Sequence, residues 1–126
     1  MENALLHLSE AGVIVLHDCN PVTPMLAHPA PSFQEFQKAY PRRGAWCGDV
    51  WKTIALLRST RPDLVVAVLD CDYGVGLVRR GLPESRLDLT PGRIEAMTYD
   101  DLRKDRKAIL NLKRPGDLSL YLKPPA

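Results

Sequence analysis

The sequence predicts an α/β fold in a single domain over residues 1–126, with a partial sheet and flanking helices. Two unbroken apolar runs, residues 13–16 and Leu64–Leu69, each lead into polar residues, which is typical of buried strands. A stretch with helical periodicity lies between them, as α/β folds require. The second run is joined to Val75–Arg80 by a link so short that the two strands must form an antiparallel hairpin.

In the amino-terminal part, residues 2–10 carry the leucines of a short helix, which we expect to end at Gly12 in a left-handed conformation. Residues 20–47 contain five prolines, and Ser32 begins the one capping-box pattern there, which predicts a helix to about Tyr40. Connections of this length are usually functional, so we interpret the segment as a lid-like loop over the strand ends. A plain surface excursion is the alternative.

In the middle of the chain, Asp49 is placed to cap a helix that Pro62 stops. Apolar residues recur at helical spacing along it and predict one buried face. Two arginines lie near its end, where cations suit the helix dipole. Residues 81–93 then read as a loop held by two prolines.

Residues 93–126 predict a helical tail. Thr98 begins a capping-box-like pattern that is acidic at its start and basic afterwards, so we expect a solvated helix face rather than a nucleic-acid stripe. Residues 118–122 suggest a short strand or turn, and residues 123–126 a frayed end.

Composition argues for an ordinary globular protein, with 45% hydrophobic and 25% charged residues. A net charge of +2 is too small to indicate binding to nucleic acid or to a membrane surface. No apolar run is long enough to span a membrane, and the amino terminus does not resemble a secretion signal, so we expect a cytoplasmic protein. The three cysteines show no paired spacing and predict free thiols. Structural zinc is a weaker alternative.

Polar residues at the end of the first strand are the first candidate site. In open α/β sheets, ligands lie outside the carboxyl ends of the strands, and histidine titrates near neutral pH. The alternative is that any strand must end in something polar. A second group lies where the lid-like loop meets the next helix, although the tryptophans there fit packing better than ligand binding. The candidates are His17, Asp18 and Asn20 for catalysis and Trp46, Asp49 and Lys52 for substrate binding.

The turn after the second apolar run contains Asp70 and Asp72, which are either a metal-binding carboxylate pair or an acidic turn; the turn is the preferred interpretation. Gly74 and Gly76 are not followed by a helix. They therefore fit a tight turn and close packing rather than a phosphate-binding loop.

Three segments together resemble the carboxyl-terminal half of class I S-adenosylmethionine-dependent methyltransferases. They are Gly-Val-Ile-Val-Leu-His-Asp-Cys-Asn-Pro, Trp-Cys-Gly-Asp-Val-Trp-Lys and Val-Leu-Asp-Cys-Asp-Tyr-Gly-Val-Gly. The likeness is closest to the bacterial branch related to catechol and macrolide-sugar O-methyltransferases, and it covers residues 5–112. It implies a Rossmann-like sheet of order 3-2-1-4-5-7-6, with an antiparallel seventh strand. Residues 13–17, 64–69 and 75–79 would be its fifth, sixth and seventh strands.

The resemblance also implies what this chain lacks. Family members bind S-adenosylmethionine through a glycine-rich turn and other residues of the first four strands, which would precede Met1, so we expect no cofactor for this chain alone. In metal-dependent members the aspartate matching Asp18 helps to hold magnesium. Here Cys19 replaces the asparagine that directly follows it in those relatives, with Asn20 one place later. The other magnesium ligands would come from the missing half.

Three functional hypotheses follow. The first is a methyltransferase-like domain that is not an autonomous catalyst, although a longer or assembled form would be active. The second is an interaction module, because a fifth strand without a fourth leaves an unpaired edge that an antiparallel homodimer would cover. The alternative is that the chain's own lid or tail covers this edge. The third is a small enzyme that uses the acid–base groups around His17 and Asp18.

Overall fold

A computed structural model describes residues 1–122. It has six α-helices, four strands and one 3-10 turn at Pro115–Asp117. The helices are α1 (Glu2–Leu6), α2 (Phe33–Ala39), α3 (Val50–Thr60), α4 (Pro91–Ala96), α5 (Tyr99–Leu110) and α6 (Leu118–Leu122). The strands are β1 (Ile14–Leu16), β2 (Leu64–Leu69), β3 (Val75–Arg80) and β4 (Leu112–Lys113). The predicted α/β class is confirmed, and the expected fraying of residues 123–126 lies outside the described residues.

The strands form one mixed sheet in the order β1-β3-β2-β4. The predicted hairpin is confirmed, since β2 and β3 pair antiparallel from Leu64 opposite Arg80 to Leu69 opposite Val75. β1 pairs antiparallel with the other edge of β3, so β3 lies between two strands that are parallel to each other. β4, which the sequence did not suggest, adds a short parallel pairing to the outer edge of β2.

The two faces of the sheet bury alternate residues, as the two-residue period of a strand requires. One face carries Leu64, Val66 and Val68 of β2 and packs against α1, α3, α4 and α5. The opposite face carries the intervening residues of β2 and is covered by Tyr121 of α6. The main core therefore lies on the side of α3 and α5.

The expectation of a fully buried first strand is wrong. Val15 is 59% exposed, because β1 is the edge strand and the cluster that Tyr121 of α6 forms on this face contains residues of β2 and β3 but not Val15. The helix predicted over residues 2–10 is also shorter than expected. It ends at Leu6, and His7 is its C-cap residue. Gly12 does not adopt the expected left-handed conformation.

The predicted caps agree with the structure in most places. The Ser32 hydroxyl accepts a hydrogen bond from the Glu35 amide, and Thr98 and Asp101 form a reciprocal capping box. Asp49 occupies the N-cap of α3, but its side chain makes no capping hydrogen bond.

Two short helices were not predicted. α4 begins within the expected loop because Thr90 caps it and Pro91 stands at its first position, where a missing amide hydrogen costs nothing. Residues Leu118–Leu122 form α6 rather than a strand or turn. Arg58 lies in the last turn of α3, as predicted, and is buried there, donating to the carbonyls of Ala108 and Ile109.

Candidate functional site

His17 and Asp18 directly follow β1 and lie at the surface. The His17 side chain is 79% exposed, and its Nδ1 atom lies 3.9 Å from Asp18 Oδ1. Asp18 has a φ of 61°, a left-handed conformation that aspartate tolerates better than most residues. The two side chains therefore form an exposed pair at the strand end, and their catalytic role stays a prediction.

Asn20 is placed differently, because only 3% of it is exposed. Its side-chain amide donates to Asp70 Oδ1 over 3.4 Å, and its Oδ1 accepts from Arg106 of α5. The Arg106 guanidinium also donates to the Pro21 carbonyl and to the Tyr99 hydroxyl. These contacts give Asn20 a structural role in joining the ends of β1 and β2 to α5, while the predicted catalytic role remains untested.

The turn between β2 and β3 closes tightly over this strand end. The Cys19 and Asn20 amides donate to the carbonyls of Gly74 and Tyr73 over 3.0 and 2.7 Å. Gly74 has a φ of +91°, and a Cβ atom there would lie 2.4 Å from the Asn20 nitrogen. A Cβ at Gly76 would lie 2.8 Å from Cys19 Sγ. Both glycines thus serve the turn and close packing, as predicted.

The acidic turn itself carries no metal-ligand set. Among residues 1–122, no three His, Cys, Asp or Glu side chains are grouped as a metal ion would need. The described surroundings of Asp18 therefore do not supply three such ligands for magnesium.

The lid-like loop is organised by a stack of aromatic side chains. The ring centroids of Trp46 and Phe36 lie 5.6 Å apart at an interplanar angle of 16°, and Phe33 stacks against both rings. The Trp46 indole donates to the His28 carbonyl over 2.8 Å. This agrees with the packing interpretation of Trp46, and its substrate-binding role stays a prediction.

Asp49 and Lys52 line a cleft of about 330 Å³ between the loop, the start of α3 and the start of α5, which we call the lid cleft. Its volume falls at the low end of the range of small-molecule sites. The wall combines apolar groups with aromatic and polar side chains. It consists of Pro24, Ala27, His28, Pro29, Tyr40, Asp49, Trp51, Lys52, Met97, Thr98 and Tyr99.

The structure separates the two predicted groups of residues. His17 and Asp18 do not line the lid cleft, whereas Asn20 is linked to it through Arg106 and Tyr99. The sequence analysis did not identify His28, Tyr40 and Tyr99 as residues of this cleft. The sequence around these residues predicts only a proline-rich loop and the capped start of a helix. Such local patterns do not show that the loop and the helix come together to form a cleft.

The thiols near the strand end are well protected. Burial raises the pKa of Cys19 to about 12 and that of Cys47 to about 11, and the nearby Asp18 carboxylate adds to both shifts. All three cysteines are free, as predicted, and Cys71 is the most exposed of them. Cys19 and Cys47 therefore act as small core residues rather than nucleophiles.

No protein-family model matches this chain, and neither the curated proteins nor the solved structures include a significant match to it. Within residues 1–122, no helix has both the length and the apolar character needed to cross a membrane.

Proposed function

We propose that this chain is a methyltransferase-like domain, corresponding to the carboxyl-terminal flank of a class I S-adenosylmethionine-dependent fold, and that it is not an autonomous catalyst. The observation that carries the proposal is the sheet order. β3 runs antiparallel between the mutually parallel β1 and β2. This is the arrangement that the sequence resemblance implies for strands five, seven and six of that fold.

The strand order β1-β3-β2 supports the proposal because it is not the order expected by default for three strands that follow one another in the sequence. Sequential strands most often become neighbours, which would place β1 directly beside β2. Here the hairpin instead presents its second strand to β1. β4 is a departure, since it extends the sheet beyond the strand that ends the family's sheet.

Gly74 and Gly76 support the part of the proposal that concerns S-adenosylmethionine, because they do not form a cofactor-binding turn. A phosphate-binding or adenosine-binding turn connects a buried strand to a helix amino terminus. Gly74 and Gly76 instead lead into β3 and lie against Cys19 and Asn20. Binding of S-adenosylmethionine would therefore require residues beyond these 126, in a longer or assembled form.

Isothermal titration of S-adenosylmethionine into the folded chain tests this proposal. We expect no saturable heat up to about 1 mM ligand, whereas a dissociation constant in the micromolar range would refute it. Circular dichroism before and after the titration controls for unfolding.

A second candidate function is assembly, and the exposed edge of β1 favours it. The strand is paired on one side only, and Val15 at its centre is 59% exposed. Open apolar edges readily pair with another chain. We propose an antiparallel homodimer in which two copies of β1 extend the sheet.

Sedimentation equilibrium at micromolar concentration distinguishes this second candidate. We expect a dimer that Val15→Lys dissociates, because a charge on an edge strand opposes pairing. Leu82→Lys, at a 90% exposed apolar residue outside the sheet, is the matched control and should leave the dimer intact. A monomeric wild-type chain would argue against assembly through β1.

A further inference from the structure

We propose that Ser85 is a phosphorylation site, at which the buried guanidinium of Arg58 holds the phosphate and so fixes the loop of residues 81–90 against α3. The inference rests on the contacts of Arg58 with this loop. It goes beyond the methyltransferase relationship and stands without it.

Arg58 is a buried cation, and the described part of the chain gives it no anion. Only 5% of it is exposed, and none of the ion pairs within residues 1–122 includes it. Its Nε and Nη2 atoms donate to the carbonyls of Ile109 and Ala108, over 3.1 and 3.0 Å, at the carboxyl end of α5. A helix end carries about half a negative charge. Part of this buried positive charge therefore stays uncompensated, whereas buried charges are normally paired.

The two terminal nitrogens of Arg58 converge on the side chain of Ser85. Nη1 and Nη2 lie 3.4 and 3.3 Å from Ser85 Oγ, and Nη1 also donates to the Ser85 carbonyl over 3.2 Å. A guanidinium edge presents two parallel donors, which match two oxygens of a phosphate at about 2.7–2.9 Å. Here a single hydroxyl oxygen accepts from both donors at longer distances. A phosphate on Ser85 would supply the second oxygen and the missing negative charge.

Ser85 is accessible to a modifying enzyme, because it is exposed and its loop contains no helix or strand. In the reaction, Ser85 Oγ bonds to the γ phosphorus of a nucleoside triphosphate while the bond from that phosphorus to the β–γ bridging oxygen breaks. A base of a protein kinase takes the hydroxyl proton, and the nucleoside diphosphate leaves. The product carries between about 1.5 and 2 negative charges near neutral pH.

The other charges near the site act in both directions. The carboxylates of Glu84 and Asp88 in the same loop and the carboxyl end of α5 oppose a phosphate, although Glu84 is itself paired with Lys113 over 3.4 Å. Arg86 favours a phosphate, since its guanidinium donates to a carbonyl of α3 and forms no ion pair within residues 1–122. Arg58 already contacts the hydroxyl, so its attraction acts over the shortest distance.

A ³¹P chemical-shift titration of the full chain, with phosphoserine incorporated at Ser85, tests the contact with Arg58. We expect the second pKa of the phosphate to be lower by at least about 1 in the native chain than in the same chain unfolded in urea, a tenfold preference for the dianion. Phosphoserine incorporated at Ser119, which is exposed in α6, is the matched control. We expect a difference of less than about 0.3 there.

Two variants assign the effect to the guanidinium. Arg58→Lys keeps a cation and removes the paired donors, so it should at least halve the difference at Ser85. Arg103→Lys, at an exposed ion pair of α5, should leave it unchanged. A difference at Ser85 no larger than at Ser119, a raised pKa at Ser85, or equal results for Arg58→Lys and the unsubstituted chain would each overturn the contact. The comparison of Ser85 with Ser119 uses native Arg58 and so decides the question even where Arg58→Lys does not fold.

Mass spectrometry of the chain isolated from the cells that produce it tests the modification itself. Trypsin releases Ser85 in the peptide of residues 81–86, because an arginine precedes this segment and another ends it. We expect a phosphorylated fraction of this peptide that phosphatase treatment removes. Recovery of the peptide in the unmodified form alone would overturn the proposal, whatever the titration with S-adenosylmethionine shows.

Discussion

Replacing Gly74 with alanine is the sharpest test of how the strand end is built. The residue has a φ of +91°, which side chains other than glycine rarely adopt. Its new Cβ would lie 2.4 Å from the Asn20 nitrogen and 2.9 Å from the Cys19 carbonyl carbon. Both contacts are with backbone, so a side-chain rotation cannot relieve them.

The expected cost follows from two contributions. A left-handed backbone costs a residue with a Cβ about 1–2 kcal/mol. Moving the turn away from β1 also weakens the two hydrogen bonds from the Cys19 and Asn20 amides, at about 1 kcal/mol each. We therefore expect Gly74→Ala to lower the free energy of unfolding by about 3–4 kcal/mol.

Urea denaturation followed by circular dichroism measures this change. Gly92→Ala is the matched control, because a Cβ there meets nothing within 4 Å and the position lies in the first turn of α4. We expect the control to be neutral or to stabilise the fold by up to about 1 kcal/mol. If Gly74→Ala is no more destabilising than Gly92→Ala, the turn does not pack as closely against Cys19 and Asn20 as the structure shows.

Three further predictions concern other contacts. Arg106→Met should cost about 2–3 kcal/mol in urea denaturation, because it leaves buried acceptors unpaired, whereas Arg103→Met, at an exposed ion pair, should cost less than about 1 kcal/mol. Cys71 should react with Ellman's reagent in the native protein, and the other two thiols only after unfolding; equal rates would contradict their burial. Burial and the Glu84 carboxylate raise the pKa of Tyr121, so its contribution to stability should be lost above about pH 10. In thermal melts Tyr121→Phe should reduce the alkaline loss but not abolish it, because the raised pKa values of Cys19 and Cys47 act in the same direction.

Local patterns in the sequence were enough to predict much of the fold. β2 and β3 were predicted with their observed bounds, because a long apolar run followed by a short acidic turn allows few alternatives. The capping residues Ser32 and Thr98 were equally readable. In each case the deciding interactions lie within a few residues of chain, where propensity and capping chemistry act.

The failures lie where distant residues decide. The apolar run of β1 by itself predicted a buried strand, and only the family resemblance placed that strand at a sheet edge, where Val15 is 59% exposed. The pairing of Asn20 with Arg106 spans 86 residues. The lid cleft likewise unites a loop with two helices, so His28 and Tyr99 could not be grouped in advance.

The order of the strands is the claim on which the proposed function depends, and nuclear Overhauser contacts between backbone protons test it most directly. Leu77 of β3 is opposite Val15 of β1 on one side and Ala67 of β2 on the other. We therefore expect cross-strand contacts from Leu77 to both residues and none between Val15 and Ala67. Direct contacts between Val15 and Ala67 would place β1 beside β2 and contradict the account.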